Sequence, residues 1–322
     1  MEHSVSLYLF SYIFVGEMIG TMFLVFLGNG INAMNTFKKT AGHKSGWLFV
    51  NIGWAGATAI GILFSMVIES IGSSLAYEKT GIKLDFAYGL INPSFDVTML
   101  IGGVWASDVG WLGAFILFLV CVFAQFVGAI LGQVLLDFIY WKKIKTSDAL
   151  SIKKMHCTHN DDRNDWARNM FTEFTVACLL TSVGVIVCGF ESFSIGSNLW
   201  VPFVMGLSLG LIRSSIGSTA FAANPARDLG PRFVFLLLPL QKAGICRDEQ
   251  IKLFDFNYTF IVAVLCPFLG GIFVGVWCWL VPTFHDNYIH SIYIKNPYLI
   301  FTPHTLVTKI PDKALDLKMY FH

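Results

Sequence analysis

The sequence predicts an all-α membrane protein in which six transmembrane helices and two half-helices form an inverted repeat. Of its 322 residues 55% are hydrophobic and only 13% charged, where soluble domains carry about 25% charged residues. Six apolar stretches are long enough to cross a bilayer. Two further helical stretches each open on Asn-Pro and are too short to cross.

The first span covers residues 7–33 and holds Glu17, a carboxylate deep in an apolar run and so a functional or structural polar group. The run lacks a basic region before it and a cleavage site after it, so it reads as a retained helix. The second span, 46–68, carries Trp54 and a small-residue face (Gly53, Ala55, Gly56, Ala57, Gly61) that admits a close neighbour. Residues 69–90 read as a long polar loop. It leads into Asn92-Pro93-Ser94. Proline lacks an N–H and fixes φ, so Pro93 suits a first helical turn with Asn92 as its N-cap. Asp96 then meets the positive helix end. This helix stops within about 12 residues, or some 18 Å.

The third span, 111–141, contains Gln125 and Gly128, and a polar loop follows to about residue 168. The fourth, 169–190, has Glu173 near its start. The fifth, 199–216, holds Arg213 and feeds the second short helix, where Asn224 caps Pro225-Ala226-Arg227 and Asp228 sits in the first turn. That helix has roughly 14 residues, about 21 Å, against a hydrocarbon core of about 30 Å. The sixth span, 258–281, carries Pro267 and Gly270. Residues 283–322 read as an extramembrane tail to a channel domain of residues 1–282.

The halves match in order: Glu17 with Glu173, Asn92-Pro93 with Asn224-Pro225, Gln125-x-x-Gly128 with Pro267-x-x-Gly270. The first repeat spans about 7–141 and the second about 169–282. Three crossings per repeat put the second copy in the opposite orientation. The half-helices then meet N-terminus to N-terminus, and both positive ends converge at the midplane. Each Asn caps its helix through its side-chain oxygen, which leaves its NH₂ to donate. Neutral hydroxylated solutes accept such bonds, whereas cations meet an unfavourable field.

Other classes find little support. The spans hold no nucleophile with a base, no phosphate loop and no metal cluster, so neither an enzyme, a catalytic residue nor a cofactor is expected. The basic residues sit in short inter-helix loops rather than on one face, which argues against nucleic acid. His156, Cys157 and His159 with Asp161 and Asp162 are ligand types that suit zinc, but their clustering in a polar loop reads as incidental, and no metal is expected. The seven cysteines lie mostly in apolar runs and read as packing residues. Glu17 and Glu173 suit either a proton relay or a structural brace, and their symmetric placement favours the brace.

Asn-Pro-Ala-Arg-Asp-x-Gly-Pro-Arg from Asn224, with Gly53-Trp54-Ala55, Phe221 and the paired Asn-Pro motifs, resembles the major intrinsic protein family, the aquaporins and aquaglyceroporins, over most of residues 8–282. Asp after Arg in the second motif is similar to the glycerol-conducting branch. The resemblance implies that Trp54 and Phe221 form an apolar corner, that Arg227 donates to hydroxyls, and that Glu17 and Glu173 accept from loop backbone N–H groups. It further implies a homotetramer in the cell membrane with one pore per subunit, whose partners are the lipid bilayer and small neutral solutes, glycerol and water.

The chain departs from the family pattern at several positions. The first motif has Ser94 for the usual Ala. Asp96 stands where Thr is usual and Leu90 where His is frequent, and loop 69–90 is long. Asp96 either stabilises its helix or raises cation occupancy, which keeps a gated or cation-leaky channel as the alternative function. Arg213 takes the place of a constriction glycine if the loop before Phe221 is one residue short; with no gap, Ile212 takes it and Arg213 turns away. The family topology puts Lys38, Lys39, Lys44, Lys142, Lys242 and Lys252 outside, the reverse of what the positive-inside rule favours.

Overall fold

The computed structural model describes residues 2–80, 88–159, 165–189, 200–217 and 221–280, and every regular element among them is helical. The elements are α1 (Glu2–Thr36), α2 (Trp47–Thr80), the half-helix α3 (Pro93–Ile101), α4 (Val104–Ile144), the short α5 (Ala149–His156), α6 (Trp166–Gly189), α7 (Trp200–Ile216), the half-helix α8 (Pro225–Leu237), α9 (Arg247–Phe254) and α10 (Cys266–Leu280). A π-helical stretch, Tyr258–Leu265, leads into α10. Five helical stretches are long and apolar enough to cross a bilayer, and α7 is a shorter apolar one. At 17 residues, α7 reaches about 25 Å, at the lower limit of a spanning helix.

Glycines set how closely the spans approach. A side-chain carbon on Gly128 of α4 would collide with the Met18 carbonyl of α1, and one on its repeat counterpart Gly270 of α10 with Ala177 of α6. The two helix pairs therefore pack backbone to backbone in the same way in each repeat. Half-helix α3 packs on α4 and α10, and α8 on α4 and the π-helical stretch. Each half-helix is thus enclosed by protein, which a short helix with open termini requires in a membrane.

Two expectations about loops are corrected. Residues 69–80 continue α2 rather than forming a loop, because no Gly or Pro breaks the helix between Gly72 and Gly81 and Glu69 is turned inward, where it accepts from Ser65 Oγ at 3.0 Å and Gly89 N at 3.0 Å. The remainder of that predicted loop, up to residue 87, lies outside the described residues, as do Asp161, Asp162 and the tail.

The predicted polar loop after α4 is likewise partly helical. Its helix α5 is capped by Asp148, which accepts from Ser151 N at 2.8 Å, and it ends buried against α1, α4 and α8. The His156 carbonyl accepts from Asn29 of α1 at 2.7 Å, and the His156 ring meets Asp137 of α4 at 3.0 Å. Thr158 reaches Asp228 of α8. His156 and Cys157 are both buried, the latter donating weakly to the Lys153 carbonyl at 3.7 Å.

Candidate functional site

The centre of the molecule is built from four side chains and two strained backbone positions. Asn92 accepts from Ser94 N at 3.0 Å and so caps α3; Asn224 accepts from Arg227 N at 3.1 Å and caps α8. Pro follows each cap in the first helical turn. The amides also cross the repeat boundary. Asn92 Nδ2 donates to the Ala223 carbonyl at 3.0 Å, and Asn224 Nδ2 to the Ile91 carbonyl at 2.7 Å. One N–H of each amide is therefore spent in joining the half-helices, and the second is left for a solute.

Ile91 and Ala223, the residues before each Asn, have φ of 45° and 55°. Left-handed backbone is costly for residues with a Cβ, and more so for a β-branched one. A carboxylate holds each in place. Glu17 accepts from Leu90 N at 2.8 Å and Ile91 N at 2.7 Å, and Glu173 accepts from Ala222 N at 2.7 Å and Ala223 N at 2.9 Å. Glutamate on the N–H and the opposite asparagine on the C=O fix both sides of the strained residue.

Beside this centre lies a cavity of about 40 Å³, lined among others by Trp54, Ile62, Asn92, Arg213, Phe221, Asn224 and Arg227. A water needs about 10–15 Å³ on such a measure, so the cavity takes a few small groups in file. Trp54 is held from behind: its Nε1 donates to Asn32 at 3.1 Å, and its ring fills the space that a side chain on Gly28 would take. Its face meets the Arg227 guanidinium carbon at 4.4 Å. Phe221 is buried at the same wall.

Arg213 faces this cavity, whereas Ile212 packs against the hydrophobic core. Its guanidinium carbon lies 4.9 Å from the Trp47 ring centre, 5.5 Å from Trp54 and 5.4 Å from Phe221. Pro93, Ser94, Pro225 and Ala226 are buried in their helices and do not line the cavity. Neither does Asp96, whose carboxylate points at Gln125 Nε2, 3.2 Å away.

Three further groups were given no role from the sequence. Glu69 braces the first half-helix beside Glu17. Arg232 binds Asp228 through Nε at 2.8 Å and Nη2 at 2.7 Å, while Asp228 also receives Thr158 N at 2.8 Å and Thr158 Oγ1 at 2.5 Å. The signal for Arg232 was its spacing, four residues after Asp228 on one helix face. Thr158 gave none, because its partners are 70 and more residues away.

Residues 89–278 match the model of the family described as Major intrinsic protein. The chain is 32% identical to a protein named a probable glycerol uptake facilitator in Mycoplasma genitalium, over 82% of this chain and 92% of that one. It is 29% identical to the glycerol uptake facilitator protein of Bacillus subtilis, over 82% of each. Its fold is similar to the X-ray structure of the aquaglyceroporin from Plasmodium falciparum, with TM-score 0.63 and 23% identity, covering 85% of this chain and 97% of that chain. Paired half-helices capped by Asn, a repeat of three crossings and these likenesses converge: the chain belongs to the major intrinsic protein family.

Proposed function

We propose that this chain is a passive channel for glycerol and other small neutral solutes, water among them, and that it works as a homotetramer in the cell membrane with one pore per subunit. The observation that carries this reading is the two-sided cavity wall. Trp54 and Phe221 offer ring faces to a carbon backbone, while Arg227 and the second N–H of Asn92 and Asn224 offer donors to hydroxyls. A polyol has one edge of each kind. The names of the relatives, glycerol uptake facilitators, support the same solute, and family likeness supports the tetramer.

Passive rather than coupled transport follows from where the acids are. Glu17 and Glu173 are occupied by backbone N–H groups, and no carboxylate is among the residues lining the cavity. Cations are disfavoured by two positive helix ends and two guanidinium groups.

Stopped-flow light scattering on proteoliposomes tests the reading. Glycerol is expected to enter much faster than into empty vesicles. Asn224→Ala and Arg227→Val are each expected to lower that flux, Arg227→Val by about tenfold for its charge-assisted hydrogen bond and Asn224→Ala by less for its neutral one. Glycerol entry no faster than in empty vesicles, with the protein assembled, would falsify the assignment.

A further inference from the structure

We infer that the constriction also binds small hydroxycarboxylate anions, of the size of glycerate, on the Arg213–Arg227 pair, and that the bound anion blocks the pore to neutral solutes. The block rests on the glycerol-channel reading; the binding does not.

This chain places two arginines on one small cavity. Both guanidinium carbons lie over Trp54, at 5.5 Å and 4.4 Å, so they are no more than about 10 Å apart on one cavity. Arg213 is buried, its Nε has no hydrogen-bond partner, and among the described residues no carboxylate pairs with it. Its contacts are three aromatic rings. Ring faces hold a cation without using its in-plane N–H donors, so the fork remains open to an acceptor.

The neighbouring acids offset the charge of the pair only in part. Arg227 Nη1 is 3.4 Å from Asp228 Oδ2, an oxygen already receiving two bonds from Thr158, while Oδ1 is held by Arg232. Glu173 accepts from Ala222 N and Ala223 N and makes no ion pair with either arginine. Two guanidinium groups with unfilled donors in a buried cavity call for an anion.

Size and shape narrow the anion. A carboxylate on the Arg213 fork, a hydroxyl on Arg227 and carbons against Trp54 and Phe221 describe a glycerol-sized hydroxy acid. Onward passage is disfavoured. The cavity continues between Leu24, Ile62 and Leu209, where an anion loses water without gaining a cation. Approach is favoured, because Trp47, at the loop edge, stacks on Arg213 and that loop carries exposed Lys38, Lys39 and Lys44, with Lys142 exposed in the adjoining last turn of α4. Among the described residues the acids of these connections, Asp148, Asp165, Asp248, Glu249 and Asp255, are fewer than the lysines and arginines beside them.

Saturation-transfer NMR with glycerate on the purified protein reads binding without flux; stopped-flow glycerol uptake with and without glycerate, at constant chloride, reads the block. Wild type is expected to give a glycerate signal and slowed glycerol entry. Arg213→Met is expected to bind glycerate about tenfold more weakly and to lose the block, and Arg213→Lys, which keeps the charge, to retain both in weaker form. No glycerate signal in wild type, or equal signals in wild type and Arg213→Met, overturns the inference. Glycerate binding that depends on Arg213 in vesicles that pass no glycerol would instead strike the channel reading and leave the anion site standing.

Discussion

Trp54 shows how one residue's position is decided by the absence of another. Its ring stands where a Gly28 side chain would be, and its indole N–H is tied to Asn32. Gly28→Ala therefore has to move the ring, and α1 behind it is packed against α2, so the ring moves toward the cavity and Arg227. Overpacking of this kind costs about 1–3 kcal/mol. The expected result is a fall in glycerol flux larger than the fall in water flux, partly restored by adding Trp54→Leu. An unchanged glycerol-to-water ratio in stopped-flow measurements would contradict it. Trp54 itself was legible from its place in the second span, but its support was not, since Gly28 and Asn32 lie on another helix. The register of Arg213 and Ile212 was open for a different reason: a one-residue gap before Phe221 exchanges them, and only coordinates show Arg213 on the cavity and Ile212 in the core.

At the scale of the element, the two half-helices are alike in their caps and unlike in their charge. Asp96 and Asp228 each stand four residues after the capping Asn. Asp228 has Arg232 four residues further on; Asp96 has Leu100 there. Asp228 is accordingly paired on both oxygens. Asp96 Oδ2 and Gln125 Oε1 are both buried acceptors without a donor, although Gln125 Nε2 reaches Asp96 Oδ1. The same substitution should then act in opposite directions. Asp96→Asn adds a donor to this pair and is expected to stabilise the protein by about 1–3 kcal/mol, the penalty of a buried unsatisfied group. Asp228→Asn leaves Arg232 buried without its counter-charge and is expected to destabilise by about 3–5 kcal/mol. Thermal unfolding in detergent, followed for both variants, decides the matter; melting temperatures that shift the same way would refute the asymmetry. The half-helices were legible because Asn-Pro fixes a cap and a first turn locally. Their charge asymmetry was visible as Leu100 against Arg232, but not that Asp96 turns from the pore.

Across the whole molecule, the segment between the repeats is what sequence reading missed most. Polar composition suggested only a polar loop between residues 142 and 168, yet α5 and Thr158 tie α1, α4, α8 and Tyr258 together through Asn29, Asp137, Asp228, Arg232 and the Tyr258 hydroxyl. Those bonds depend on chain positions far apart, which no local pattern carries. The same arrangement gathers the basic loops on one side: Lys143 Nζ donates to the Lys38 and Lys39 carbonyls, and Trp47 stacks on Arg213. The arginine constriction thus opens toward the basic loops, and two rules disagree on which way that side faces. The positive-inside bias turns it to the cytoplasm, whereas the family pattern turns it outward. The repeat is the more specific signal, because the charge rule is a statistical bias on loops, so we expect the basic side to face out. Cys246 reports on it directly. It caps α9, accepting from Glu249 N at 3.4 Å, and is the one exposed cysteine among those whose side chains are described. A membrane-impermeant maleimide added to intact cells is expected to label the protein, and Cys246→Ser to abolish the labelling. Labelling that appears only after the cells are opened would place the constriction on the cytoplasmic side and the charge rule above the family pattern.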